Sequence, residues 1–185
     1  TDENEALLQQ IPANFQNDET IVRIKEMTDK QKKTAVGTQF VDFEMQTPEG
    51  KAVKLSDYVG KGKVVLVDFW ASWCGPCASE MPDIQPAWEE HGNDVEFVIV
   101  NMTDMNGETE QSAKAFLAEN NYTFPCYFDA NNSAATAFGV SSIPQTYLIN
   151  AEGNIIGAYM GAMDASVIAQ GIDMLTGNTA APAAQ

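Results

Sequence analysis

Basic residues are scarce in this sequence. Ten Lys and Arg stand against 26 Asp and Glu in 185 residues, which gives a net charge of −16 at pH 7. Residues 34–185 alone hold five basic and 19 acidic side chains. Phosphate backbones and anionic lipid surfaces would repel a body this acidic. We therefore predict that nucleic acid is not a partner.

Long apolar runs are also missing. The run Val64–Val67 stops at Asp68, whereas a membrane-spanning helix needs about 20 apolar residues. We therefore predict no transmembrane segment in this chain. The chain begins at Thr1 with neither a Met nor an apolar leader, which fits a mature form from which a leader has been removed.

The composition predicts one domain with terminal additions. Hydrophobic residues make up 44% of the chain, enough to build a core. Residues 1–34 have the apolar spacing of two short helices and are predicted to be a helical extension. Residues 35–177 form the predicted domain, and the Ala/Pro-rich residues 178–185 form a predicted disordered tail.

Strand-like and helix-like segments alternate within this domain, which predicts an α/β fold with a sheet of mixed direction. The predicted strands are 43–46, 52–55, 63–69, 95–101, 124–128, 145–150 and 155–160. The predicted helices run from Cys74 to Gly92, over 108–120, from Asn131 to Phe138, and from Asp164 to Gly177.

Cysteine is rare too, with three in the chain, but Cys74 and Cys77 are three residues apart. Two thiols at this spacing, where a helix begins, can close a small disulfide ring. Unpaired N–H groups and the dipole at a helix N-terminus stabilise a thiolate, which favours Cys74 as the attacking thiol. Cys77 lies one turn further in and suits the resolving role.

A structural zinc site is the alternative use of this pair. It would need two more ligands, and the chain offers only Cys126, His91 and carboxylates, none in a second paired motif. We interpret Cys126 as a small buried side chain and His91 as structural, and we predict no metal site.

Residues 65–77 resemble the active-site strand and helix start of thioredoxins almost residue for residue. They read Val-Leu-Val-Asp-Phe-Trp-Ala-Ser-Trp-Cys-Gly-Pro-Cys. Pro82 matches the proline that bends the thioredoxin helix, and Ile143-Pro144 resembles the cis-proline segment that faces the disulfide. The resemblance covers residues 36–176. It implies a thioredoxin fold, a central mixed β-sheet flanked by helices, with no cofactor besides a redox-active Cys74–Cys77 disulfide.

The added N-terminal hairpin, the inserted helix at 108–120 and Glu80 are similar to the TlpA/ResA-like branch of extracytoplasmic thiol–disulfide oxidoreductases. The resemblance to that branch implies that a glutamate takes part in proton transfer. Asp68 holds the position of the buried acid of ordinary thioredoxins. The presence of both acids leaves two candidates for the proton acceptor of Cys77. We rank Asp68 above Glu80, because we expect burial to raise the pKa of Asp68 and water near the helix surface to hold Glu80 close to its ordinary pKa. Glu80 is then expected mainly to tune the pKa values of the two cysteines.

The resemblance implies an enzyme that reduces protein disulfides through a mixed disulfide, supplied with electrons by an upstream thiol reductant. The residues expected to contact substrate are Trp73, Gly75, Pro76, Ile143 and Pro144. One alternative is a thiol peroxidase of peroxiredoxin type, but that signature would need Pro at Val67, Thr or Ser at Ala71, and a nearby arginine, whereas the sole arginine is Arg23. Another is a copper(I) chaperone that uses the same cysteine pair.

The branch features favour the periplasm or cell envelope over the cytoplasm as the location. They are also compatible with a lipid tether attached before residue 1. We expect a monomer.

Overall fold

The computed structural model describes residues 2–15 and 17–177, so the predicted tail at 178–185 lies outside the described residues. Its strands are β1 (Glu44–Gln46), β2 (Ala52–Lys54), β3 (Val64–Trp70), β4 (Val95–Asn101), β5 (Cys126–Phe128), β6 (Gln145–Ile149) and β7 (Ile155–Met160). Its α-helices are α1 (Asp2–Gln9), α2 (Glu19–Lys33), α3 (Gly75–His91), α4 (Glu110–Glu119), α5 (Ser133–Phe138) and α6 (Ala165–Thr176).

The strands form one sheet in the order β2-β1-β5-β4-β3-β6-β7. β3, β4 and β5 run parallel to one another, and the other neighbouring strands are antiparallel. The sheet is therefore of mixed direction, as the sequence predicts. The N-terminal hairpin of β1 and β2 extends it at one edge beyond β5.

β3 separates two apolar cores because its side chains alternate between the two faces of the sheet. Leu66 and Trp70 point into the core shared with α3, α4 and α6. Val67 and Phe69 point into the other core, which includes side chains of α5. Asp68 has the parity of Leu66 and Trp70 and so lies on the α3 side. The helical extension lies on the other side, where α2 packs against α5.

α3 begins and ends where the sequence predicts. Cys74 is its N-cap residue, with extended backbone, and Gly92 follows its last residue. Pro76 fits the first turn because an N–H there has no partner within the helix. This local chemistry places Cys74 at the start of the helix and Cys77 one turn inside it.

Two predicted helix starts are wrong. α4 begins at Glu110 rather than at 108, because the Thr109 side chain accepts the Ser112 N–H and so caps the helix there. Asn131 does not cap α5; it has a left-handed backbone with φ of 64°. The Asp129 carboxyl performs that role instead, accepting N–H bonds from Ala134 and Ala135.

The predicted strand at 124–128 is shorter than expected. β5 contains only Cys126–Phe128, and the preceding Pro125 has no N–H with which to extend the ladder. By contrast, the predicted cap of α6 is confirmed, since Asp164 accepts N–H bonds from Ser166 and Val167.

Candidate active site

Cys74 and Cys77 are joined in a disulfide, with their Cα atoms 5.3 Å apart. The Cys77 N–H points at the Cys74 Sγ across 3.2 Å. Cys74 is 4% exposed and Cys77 is fully buried. Only Cys74 is therefore within reach of an incoming sulfur, and a thiolate there would keep a hydrogen-bond donor from the helix start.

The residues predicted to contact substrate lie around Cys74. Trp73 is 46% exposed, Gly75 and Pro76 are exposed, and Ile143 is half-buried. The Ile143 carbonyl oxygen is 3.7 Å from the Cys74 Sγ. The Ile143–Pro144 peptide bond is cis, as the resemblance implies, although the Pro144 side chain itself is buried. The disulfide thus sits at an apolar surface.

Asp68 is fully buried on the α3 side of the sheet. Its Oδ1 accepts a 2.9 Å hydrogen bond from the Thr146 hydroxyl, the residue opposite it on β6, and its Oδ2 has no partner among the described residues. Burial raises the pKa of Asp68, and the hydrogen bond from Thr146 only partly offsets that rise. This agrees with the direction predicted from the sequence.

Glu80 does not lie near the surface, so that prediction is wrong. Its side chain is fully buried, because the chain at Met163, just before α6, covers this face of α3. The Met163 N–H donates a 3.0 Å bond to Oε2, and Oε1 has no partner among the described residues. Burial raises the pKa of Glu80, and the negative charge of Asp68 raises it further.

Asp68 and Glu80 therefore form an interacting acid pair between β3 and α3. Glu80 follows Cys77 by three residues and is on the same buried face of α3. Each acid keeps one carboxyl oxygen without a partner in the described structure. Two such groups titrate together. The pair readily keeps one proton, because the loss of both protons would leave two interacting negative charges.

Comparison with known proteins shows the family of the chain. The profile of the AhpC/TSA family matches residues 36–158. The chain belongs to this family. Within it, the chain is 33% identical over 144 residues to the thiol-disulfide oxidoreductase ResA of Geobacillus thermodenitrificans, covering 76% of this chain and 78% of the relative. It is 34% identical to the thioredoxin-like protein YneN of Bacillus subtilis, covering 75% and 79%.

Solved structures of similar proteins have the same fold. StoA from Bacillus subtilis superposes with a TM-score of 0.61 at 30% identity, covering 71% of this chain and 96% of StoA. The pneumococcal exposed lipoprotein thioredoxin Etrx1 from Streptococcus pneumoniae gives 0.63 at 33% identity, covering 72% and 99%. This AhpC/TSA member is accordingly a TlpA/ResA-like thiol–disulfide oxidoreductase with a thioredoxin fold.

Cys126 and His91 are the other two candidate ligands. Cys126 is buried in the apolar core, and burial raises the pKa of its thiol to about 12, which makes it a poor nucleophile. His91 ends α3, fourteen residues after Cys77 and so about 20 Å along the helix. It therefore cannot share an ion with the cysteine pair.

Two groups at this site were missed by the sequence analysis. Thr146 donates to Asp68, and the backbone N–H of Met163 donates to Glu80. Thr146 follows the cis-proline by two residues and so has a weak sequence signal. Met163 has none, because only its backbone takes part.

Proposed function

We propose that this protein reduces disulfides in other proteins, with Cys74 as nucleophile and Cys77 as resolving thiol. The observation that carries the proposal is the asymmetry of the pair at the start of α3. Cys74 is the more accessible sulfur and faces a helix N–H, while Cys77 is enclosed. Trp73, which directly precedes Cys74, is exposed and offers an apolar contact for a substrate chain.

The reaction proceeds in two exchange steps. In the reduced protein the Cys74 thiolate attacks one sulfur of the substrate disulfide, forms a mixed disulfide and releases the other substrate sulfur as a thiolate. Cys77 then loses its proton and attacks the Cys74 Sγ. The second substrate sulfur leaves as a thiolate, and the Cys74–Cys77 disulfide forms. The enzyme is thereby oxidised, and the substrate has gained two electrons. An upstream thiol reductant restores the dithiol.

The acid pair supplies the place for the Cys77 proton. Asp68 and Glu80 lie behind the disulfide in a site whose low polarity favours a proton on one of them. A group with a pKa near the working pH is an efficient proton acceptor. We assign this task to the pair as a unit rather than to Asp68 alone.

A peroxidase reading has less support. Val67 and Ala71 stand where the peroxiredoxin signature needs Pro and Thr or Ser. Arg23 lies on α2, against α5 on the opposite face of the sheet from α3. A guanidinium in that place does not reach a peroxide at Cys74.

Insulin reduction with dithiothreitol as the electron donor tests the proposal. We expect this protein to accelerate precipitation of the reduced insulin B chain and to consume hydrogen peroxide no faster than free dithiothreitol does. The equilibrium of the cysteine pair with glutathione then gives its reduction potential, and a value close to that of thioredoxin (about −270 mV) supports the reducing direction. Peroxide turnover without insulin reduction would reject the proposal in favour of a peroxidase.

We also propose that the protein works outside the cytoplasm, in the periplasm or cell envelope, and as a monomer. The ResA-like and lipoprotein-type relatives support this location. Within the described part of the chain, no helix has the length and apolar character to cross a membrane. Fractionation of the native host should recover the protein with envelope markers, and recovery with soluble cytoplasmic enzymes would contradict the proposal.

A further inference from the structure

Glu108 is a buried acid outside the acid pair, and its side chain reaches back to the active-site segment. It is 2% exposed. Its Oε1 accepts hydrogen bonds from the Ser72 N–H at 3.1 Å and from the Asn101 side-chain amide at 2.9 Å. Its Oε2 accepts one from the Ser72 hydroxyl at 2.7 Å. Both carboxyl oxygens are therefore satisfied, and two of the three bonds go to Ser72.

Ser72 lies in the short connection between β3 and α3 that carries the nucleophile. Trp73 follows Ser72, and Cys74 follows Trp73. The indole N–H of Trp73 donates a 3.1 Å bond to the Met105 carbonyl oxygen, in the same loop as Glu108. One loop thus holds both residues that precede Cys74.

This loop is folded on itself by backbone hydrogen bonds. Glu108 donates its N–H to the Met105 carbonyl, and its own carbonyl accepts the Asp104 N–H. Asp104 and Asn106 have left-handed backbones, with φ of 72° and 50°. Such backbones are uncommon outside glycine and persist where the surrounding contacts hold them. The folded loop turns the Glu108 side chain inward instead of letting it join α4.

We propose that Glu108 is a positioning residue for disulfide exchange, which fixes the Ser72–Trp73 segment so that Cys74 stays aligned with Cys77 and with the substrate. The inference rests on the proposed function. Burying a carboxyl group is costly unless its hydrogen bonds are satisfied, so this arrangement strongly favours one geometry of the segment.

The contact matters most once the disulfide is open. In the oxidised protein the Cys74–Cys77 bond itself tethers the two sulfurs. In the mixed disulfide that tether is gone, and Cys77 must find the Cys74 sulfur through the alignment of the backbone. Alignment of reacting atoms contributes large rate factors, and small displacements are costly. Loss of the Glu108 contacts should therefore slow the second exchange step more than the first.

The test uses reduced protein and 5,5′-dithiobis(2-nitrobenzoate) as the probe disulfide. Attack by Cys74 releases one coloured thiolate, and attack by Cys77 on the mixed disulfide releases the second. Glu108→Ala is expected to slow the second release about tenfold while the first changes by less. Glu108→Gln is expected to recover most of that loss, because its amide oxygen can accept from Ser72 and Asn101 and its NH₂ can donate to the Ser72 hydroxyl.

Glu119→Ala provides the matched control, since Glu119 is an exposed glutamate at the end of α4. It should leave both releases unchanged. Ser72→Ala removes one of the three bonds and should give an intermediate defect, which keeps the test decisive should Glu108→Ala fail to fold. Circular dichroism establishes that each variant is folded at the assay temperature.

Two results would overturn the inference while wild-type exchange stays normal. One is a second release in folded Glu108→Ala as fast as in wild type. The other is Glu108→Gln as slow as Glu108→Ala, which would assign the effect to charge and not to position. Failure of the wild-type protein to release the second thiolate would instead reject the proposed two-cysteine function.

Discussion

Cys74→Ser should abolish disulfide reduction, and Cys77→Ser should trap the enzyme on its substrate. The first variant lacks the accessible sulfur, and the fully buried Cys77 cannot replace it. The second retains the nucleophile but has no sulfur to resolve the mixed disulfide. Non-reducing electrophoresis after addition of a disulfide-bonded protein should show a covalent adduct with Cys77→Ser that dithiothreitol removes.

Cys126→Ala provides the control for this experiment. Its thiol is buried in the apolar core with a raised pKa, so turnover in this variant should stay close to wild type. A Cys77→Ser protein that accumulates no adduct, or an adduct that survives Cys74→Ser, would show that the roles of the two cysteines are assigned wrongly.

The parts of the fold that the sequence predicts well are those decided by local chemistry. β4 has the predicted limits, 95–101, because a short apolar run that is rich in β-branched residues and interrupted only by Glu96 favours a buried strand. α3 starts at Cys74 and ends before Gly92 because both ends carry their own signals. The cysteine pair and its order of shielding follow from the same segment, whereas the cis Ile143–Pro144 bond is implied only by the thioredoxin resemblance.

The failures arise where distant segments decide the outcome. Periodicity places Glu80 on a helix, but its burial depends on the chain at Met163, which packs over that helix from 83 residues away. The start of α4 is a different kind of miss, because the Thr109 cap that sets it is local and can be read from the sequence. The inward position of Glu108, by contrast, depends on bonds from Asn101 and from Ser72, which is 36 residues earlier. Intrinsic helix propensity does not include contacts with distant residues.

Burial of Glu80 changes the expected roles of the two acids. The ranking of Asp68 above Glu80 depended on Glu80 being solvated, and that basis is gone. Both pKa values are raised by desolvation, and each charge opposes the other. The pair should thus carry one shared proton over a wide pH range around neutrality, whichever oxygen holds it.

A stability measurement reports on this shared proton independently of catalysis. Acids whose folded pKa is raised bind more protons in the folded than in the unfolded state, so stability is highest below the unfolded pKa and falls as pH rises through the folded pKa. Unfolding by urea between about pH 5 and pH 9 should show this loss, at most about 1.4 kcal/mol per pH unit for each proton. The double variant Asp68→Asn, Glu80→Gln should flatten the slope.

The same pair should control the second exchange step. Near pH 7, Asp68→Asn and Glu80→Gln should each slow single-turnover release of substrate by about 100-fold, since both variants break the unit that takes the Cys77 proton. The double variant should be only slightly slower than either single one, because groups acting together give non-additive losses.

Each single variant also removes one negative charge, which lowers the pKa of the remaining acid. Its residual rate should therefore rise at lower pH than in wild type. Losses that multiply in the double variant would mean two independent acids, and a normal rate in Glu80→Gln would return the role to Asp68 alone.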